Sequence, residues 1–165
     1  DRTIRQARDI ARGLRPPLLD EAGLVPAVED HLNALAKRSD VRIEFEAAAG
    51  VASVPVGLNT TVFRIIQEAV SNALRHAHAS TIRVALRDDP GALSVVIEDD
   101  GVGFDPEVVG QRVRRGEHLG MLGMTERVRD VGGTIEFDSR PGAGSRTRVR
   151  IPCPGAASGP DLRSR

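Results

Sequence analysis

Cysteine, long apolar runs and a surplus of charge of either sign are what this sequence has least of. Its single cysteine, Cys153, excludes an internal disulfide, and no cysteine–histidine spacing is typical of a zinc site. No run approaches the roughly 18 apolar residues of a membrane-spanning helix. The first residues, DRTIRQARDIARG, are charged throughout, unlike a signal peptide. We expect this chain to work in a reducing compartment, the cytoplasm, without direct membrane contact.

The charges balance, with 23 basic and 23 acidic residues. A neutral chain creates no overall field that would attract nucleic acid, so we expect no nucleic-acid partner. Its 165 residues, 40% of them hydrophobic, suit one domain with one core. The chain starts without Met and within a helical pattern, which predicts a fragment of a longer protein.

Apolar periodicity divides the chain into helices and strands. A short amphipathic helix end stops at Pro16 and Pro17. Residues 18–24 are typical of a linker, and residues after Pro154 of a disordered tail. The predicted helices cover residues 24–38, 57–77 and 121–131. The predicted strands cover residues 41–47, 80–87, 92–99, 133–139 and 145–152.

The later strands alternate between apolar and charged positions, so one sheet face is covered by helices and the other is wet. The wet positions carry both signs of charge: Arg83, Arg87, Glu98, Glu136, Asp138, Arg146, Arg148 and Arg150. A basic groove for nucleic acid is one interpretation, but we favour a solvated face with cross-strand ion pairs. The predicted architecture is a two-layer α/β sandwich.

An acidic residue ends the strand 92–99. Asp99 shares parity with the apolar positions of that strand, so it points toward the helices where the core opens. An unpartnered buried carboxylate is costly, and an amino group on a bound base would satisfy it. Gly101 and Gly103 then remove side chains where a flat ring would lie against the backbone. A hairpin turn explains the same residues without a ligand, and no third glycine or GxxxxGK[ST] loop is present.

A polar stripe follows the helix 57–77. Glu68, Asn72 and His76 succeed one another at four-residue steps, with Arg75 beside them. A solvated helix face is the simpler interpretation. Asn72, however, supplies a neutral hard oxygen, which suits Mg²⁺ ligated mostly by phosphates and water. Arg75 and His76 are placed to meet phosphate charge.

Two glycine-containing segments come later. The stretch from His118 to Met124, HLGMLGM, leads into a helix, where glycines would let a polyphosphate approach free amide groups. Met121 and Met124 are expected to pack rather than to ligate. The segment 142–147 predicts a turn into the last strand, where Ser145 would place a hydroxyl beside Asp99.

These four segments, in this order over about residues 57–152, resemble the ATP-binding domain shared by histidine kinases, DNA gyrase, Hsp90 and MutL. The matches to its four boxes are, in order, Glu68 with Asn72; Asp99, Gly101 and Gly103; Gly120 and Gly123; and Gly144 with Ser145. The resemblance implies a Bergerat-type α+β fold, a mixed, mostly antiparallel sheet with helices on one face. It implies ATP and Mg²⁺ as cofactors. The implied ATP pocket comprises Asn72, Arg75, His76, Asp99, Gly101, Gly103, Gly120, Met121, Gly123, Met124 and Ser145.

Within that family, residues 13–28, 67–79 and 118–128 look like the histidine kinases related to nitrate- and desaturase-regulating sensors. The resemblance implies the end of a dimerisation helix at 1–17, a catalytic domain at 18–154 and a tail at 155–165. It also implies phosphoryl transfer from ATP to a histidine on the dimerisation domain of a homodimer, then to a response regulator. None of the four histidines precedes an acidic residue, so we expect the acceptor to lie outside this chain.

Two positions depart from the family pattern, with Ser145 in place of the more usual threonine and Arg75 in place of lysine. Both keep the donor chemistry. We expect adenine on Asp99, Mg²⁺ on Asn72 and a lid formed around Gly120 to Gly123. Glu68 is a catalytic candidate that would polarise the attacking group. An anti-sigma-type serine kinase and a nucleotide sensor without transfer remain alternatives.

Overall fold

Five strands form one mixed sheet in a computed structural model that describes residues 17–109 and 119–153. The strands are β1 (Arg42–Ala47), β2 (Thr81–Asp89), β3 (Ala92–Asp99), β4 (Thr134–Ser139) and β5 (Ser145–Pro152). Their order is β1-β2-β3-β5-β4, with β1 parallel to β2 and the other pairs antiparallel. The predicted α+β fold with a mostly antiparallel sheet is confirmed.

The helices are α1 (Pro17–Glu21), α2 (Leu24–Ala36), α3 (Val56–Asn72) and α4 (Leu119–Asp130). A 3₁₀ turn, Ala49–Ser53, precedes α3, and a π-helical turn, Ala73–Ala77, continues it. Neither turn was predicted from the sequence. The predicted linker at 18–24 was wrong, because α1 buries Leu19 in the core, where it is 1% exposed. The predictions for residues 1–16, 110–118 and 154–165 fall outside the described residues.

The core lies between α3 and the sheet. Apolar side chains of α3 recur at helical spacing and meet the core-facing positions of β2, β3 and β5. Those strand positions alternate as predicted and are at most 4% exposed: Ile82, Val84, Leu86, Leu93, Val95, Ile97, Val149 and Ile151. Ile135 and Phe137 on the edge strand β4 are partly buried against the same core. Alternation in the sequence therefore predicts the covered face correctly.

The opposite face carries a row of alternating charge across all five strands. In register, the row consists of Glu44, Arg83, Glu98, Arg146 and Asp138. Arg83 Nε lies 2.9 Å from Glu44 Oε2, and Arg146 forms an ion pair with Glu98. The predicted cross-strand ion pairs are confirmed. Exposed pairs of this kind stabilise a fold little. They do neutralise the positive charge of the arginines, which a basic groove for nucleic acid would need.

Asp100 fastens the start of β2 to the end of β3. Its Oδ1 accepts hydrogen bonds from the backbone N–H groups of Ser80, at 2.7 Å, and Thr81, at 2.9 Å. Its Oδ2 accepts the Ser80 hydroxyl at 2.5 Å. These bonds, the one from the Ser80 hydroxyl foremost, lower the pKa of Asp100 from 3.8 to about 2. Asp100 follows Asp99 directly, so these hydrogen bonds help to fix the end of β3 that carries Asp99.

Asp100→Asn should lower the urea unfolding midpoint near neutral pH. Because the folded pKa lies below the ordinary value, the stabilisation is present above about pH 4 and is lost as pH falls toward about 2. The difference in urea unfolding midpoint between wild type and variant should therefore become smaller as pH falls through that range. Asp130→Asn, which removes an exposed carboxylate on α4, is the matched control. A difference that stays constant down to about pH 2 would contradict this role.

Candidate functional site

A cavity of about 340 Å³ opens between α3, α4 and the ends of β3 and β5. Its walls are largely apolar, with polar groups contributed by α3 and by the strand ends. The predicted site residues that line it are Asn72, His76, Asp99, Gly103, Gly120, Met121, Met124 and Ser145. Glu68, Arg75, Gly101 and Gly123 do not line the cavity as the described residues form it. The fold thus brings most of the predicted site residues together around one cavity.

Asp99 is held by two hydrogen bonds at the end of β3. The antiparallel register places it opposite Ser145, whose hydroxyl donates to Asp99 Oδ2. The backbone N–H of Gly101 donates to Oδ1 at 2.9 Å. The expected pairing of Ser145 with Asp99 is therefore present. An ionised carboxylate offers about four acceptor positions, so Asp99 retains acceptor capacity in the cavity wall.

The glycines after Asp99 are required by the protein's own backbone. A Cβ at Gly101 would overlap the carbonyl oxygen of Ala77, which accepts the N–H of Val102 at 2.7 Å. A Cβ at Gly103 would overlap the carbonyl oxygen of Arg140, and its φ of 63° also favours glycine. The expected reason, room for a flat ring, stays a prediction, and Gly103 does line the cavity. Close loop packing explains both glycines.

Ser139 is a supporting residue that the sequence analysis missed. Its hydroxyl is buried, accepts the N–H of Phe104 at 2.8 Å and donates to the carbonyl of Gly144 at 2.8 Å. It thereby joins the loop after β3 to the turn between β4 and β5. A small polar residue at a core-facing position, in parity with Ile135 and Phe137, was the available signal.

The polar stripe on α3 runs through the change from α to π helix. α3 ends at Asn72, and the wider π turn of Ala73–Ala77 is followed by His78 in the left-handed region, with a φ of 50°. Asn72 and His76 both line the cavity. π turns occur preferentially at functional sites, and this one carries Arg75 and His76.

Arg75 points back along α3. Its Nη2 donates to Asn72 Oδ1 at 3.0 Å and lies 3.5 Å from Glu68 Oε1, and its Nε donates to the Ser71 carbonyl at 3.1 Å. Glu68 in turn packs against Gly120, where a Cβ would overlap its Oε1. These contacts join two of the predicted boxes, because Glu68 of the first box contacts Gly120 of the third as well as Arg75.

The segment predicted as a loop before a helix is already helical, because α4 includes Leu119. Gly120 makes room for Glu68, and a Cβ at Gly123 would lie 3.0 Å from the guanidinium of Arg127. The expected reason for Gly120, direct approach of a polyphosphate, therefore competes with a contact inside the protein. Met124 is 2% exposed and packs as predicted, while it and Met121 form part of the cavity wall. His118 lies outside the described residues.

The oxygen donors of the cavity suit a metal that brings most of its own ligands. Among residues 17–109 and 119–153, no group of three or more His, Cys, Asp or Glu is placed to hold a metal ion. Asn72 Oδ1 is a single neutral oxygen near the carboxylate of Glu68, both within reach of Arg75. Such a donor set fits Mg²⁺ bound to phosphates.

Within the same described ranges, none of the helices is long and apolar enough to cross a membrane.

Comparison with known proteins gives matches of sequence and of fold. Residues 57–155 match the family described as histidine kinase-, DNA gyrase B-, and HSP90-like ATPase. An uncharacterized sensor-like histidine kinase of Chloroflexus aurantiacus is 39% identical over 92% of this chain and 26% of its own length. Sensor histidine kinase MctS of Rhizobium johnstonii is 32% identical over 90% of this chain and 32% of its own length. The chain thus spans about a third or less of these relatives.

Solved structures share the fold. The blue-light activated histidine kinase of Erythrobacter litoralis superposes with a TM-score of 0.63 at 21% identity, over 78% of this chain and 40% of that one. The mycobacterial sensor histidine kinase MprB superposes with a TM-score of 0.59 at 24% identity, over 76% of this chain and 91% of that one. At these identities the likeness shows the fold.

Asp99→Asn should weaken ATP binding about tenfold or more, the usual effect of losing a hydrogen bond to a charged group. The amide turns one acceptor oxygen into a donor, which opposes the amino group of adenine. Titration calorimetry with ATP measures the change. Glu98→Gln, on the opposite face of the same strand, is the control and should leave the affinity unaltered. Equal affinities for both variants and wild type would exclude Asp99 from the binding site.

Proposed function

This chain belongs to the histidine kinase-, DNA gyrase B-, and HSP90-like ATPase family, and we propose that it is the ATP-binding catalytic domain of a sensor histidine kinase. ATP occupies the cavity beside Asp99, and its γ-phosphoryl group passes to a histidine on a dimerisation domain outside this chain. A response regulator then receives the group on an aspartate. The observation that carries this proposal is Asp99, fixed by Gly101 and Ser145 at the polar end of an apolar cavity.

A carboxylate at this place selects adenine by its hydrogen-bonding pattern. Ionised Asp99 only accepts hydrogen bonds, and the amino group of adenine donates them. Guanine presents a carbonyl oxygen at the corresponding position, which a carboxylate repels. Phe104, Met121 and Phe137 in the cavity wall supply apolar surface for a flat base. The pocket chemistry therefore favours ATP over GTP.

The phosphate end of the nucleotide lies toward α3 and the first described turn of α4. Asn72 would hold Mg²⁺, and the metal would neutralise phosphate charge. Arg75, His76 and the α4 segment from Gly120 to Gly123 attract the phosphates, the α4 segment through the amide groups at the start of a helix. In this scheme the protein positions the γ-phosphoryl group and offsets its charge, with Glu68 as a supporting catalytic residue.

The names of the relatives support a two-component role. A protein that draws on ATP and acts on a response regulator works in the cytoplasm, where we place this domain. The full protein is a homodimer through its dimerisation domain, and the acceptor histidine lies in that domain. Neither nucleic acid nor a membrane is a partner of the domain itself.

Asn72→Ala should reduce autophosphorylation about 100-fold in a protein that carries the dimerisation domain, the usual cost of losing one group that stabilises transferred charge. The measurement is incorporation of labelled γ-phosphate with time. Asn33→Ala, which removes an exposed asparagine on α2, should retain the wild-type rate. Transfer at the wild-type rate by Asn72→Ala would disprove the metal role.

The chemistry of the labelled product separates the related functions. Phosphohistidine is lost in acid, whereas phosphoserine is stable, so an acid-stable product would indicate an anti-sigma-type serine kinase. Nucleotide binding without any transfer to a supplied dimerisation domain would indicate a sensor that only binds. We expect acid-labile phosphoprotein.

A further inference from the structure

One guanidinium covers the oxygen that a metal would need. Arg75 Nη2 donates to Asn72 Oδ1 at 3.0 Å, while Glu68 Oε1 lies 3.5 Å from the same nitrogen. The Arg75 side chain is 43% exposed, so it swings without disturbing the core. Arg75 does not itself line the cavity, although Asn72, to which it donates, does. The Asn72 oxygen therefore already accepts one hydrogen bond from a cation.

A guanidinium and a metal ion compete at this oxygen. Mg²⁺ binds oxygen at about 2.0 to 2.1 Å, so a metal on Asn72 Oδ1 would lie within about 5 Å of the Arg75 guanidinium. Both are positive, so at this distance they repel each other. Glu68 neutralises Arg75 where it is, which favours the covered state of Asn72. The arrangement of the three side chains therefore disfavours a metal on Asn72.

We propose that Arg75 is a gate that keeps Asn72 covered until a nucleotide enters, a step that rests on the proposed function. A phosphate matches the planar guanidinium better than an amide oxygen does, because it is charged and accepts two parallel hydrogen bonds. Entry of the nucleotide transfers Arg75 from Asn72 and Glu68 to a phosphate. Asn72 Oδ1 would then be free to hold the metal that accompanies the phosphates.

The gate predicts that one substitution has opposite effects with and without metal. Asn72→Ala removes the partner that holds Arg75 back, so ATP in EDTA should bind about fivefold more tightly than to wild type, the usual size of one hydrogen bond. In Mg²⁺ the same variant should bind ATP more weakly, because the metal has lost its protein ligand. Titration calorimetry under both conditions measures the two dissociation constants.

A double-mutant cycle assigns the metal-free gain to Arg75. In an Arg75→Gln background, Asn72→Ala should no longer tighten ATP binding in EDTA, because no guanidinium remains to be released. Asn33→Ala is the control for removing an asparagine, and equal urea midpoints show that the variants are folded. Unchanged or weaker metal-free binding by Asn72→Ala would overturn the gate, as would a gain that persists without Arg75. Failure of wild type to bind ATP in Mg²⁺ would instead overturn the proposed function.

Discussion

The pairing of β3 with β5 is the constraint on which the pocket depends, because its register places Asp99 opposite Ser145. A slip of one residue would turn Asp99 to the wet face, since strand side chains alternate. The turn before β5 is fitted to this register, as a Cβ at Gly144 would overlap the carbonyl oxygen of Asp99. Ser139 then joins the same turn to the loop after β3. The acceptor in the cavity is thus set by backbone pairing.

The loop after β3 also fixes this acceptor relative to α3. The N–H of Val102 donates to the carbonyl of Ala77, the last residue of the π turn. That contact is close enough to exclude a side chain at Gly101. Asp99 and Asn72 come from elements far apart in the sequence, yet short backbone contacts join the two elements. The distance between Asp99 and Asn72 is therefore fixed by backbone contacts.

The features predicted correctly from the sequence are those that depend on neighbouring residues. Alternation identified the covered face of the sheet and the parity of Asp99, because burial of every second strand residue is written in the sequence. Contacts between residues distant in the sequence could not be predicted from such patterns. Residues 18–24 contain turn-forming Gly23 and were predicted to be a linker, yet the helix Pro17–Glu21 covers much of this segment and buries Leu19 in the core. The contacts that leave no room for a side chain at Gly101 and Gly120 were not predicted, since their neighbours, Ala77 and Glu68, are distant in sequence.

The distribution of charge explains why a gate at Arg75 is useful. On the wet face, arginines such as Arg83 and Arg146 face carboxylates, so this surface has little free positive charge to compete for a polyphosphate. Attraction of a polyphosphate must therefore come from charged groups beside the cavity. A permanently free guanidinium there would bind any anion, whereas one neutralised by Glu68 is released only to a ligand that outcompetes both Glu68 and Asn72. The three side chains thereby couple recognition of the phosphates to exposure of the metal ligand.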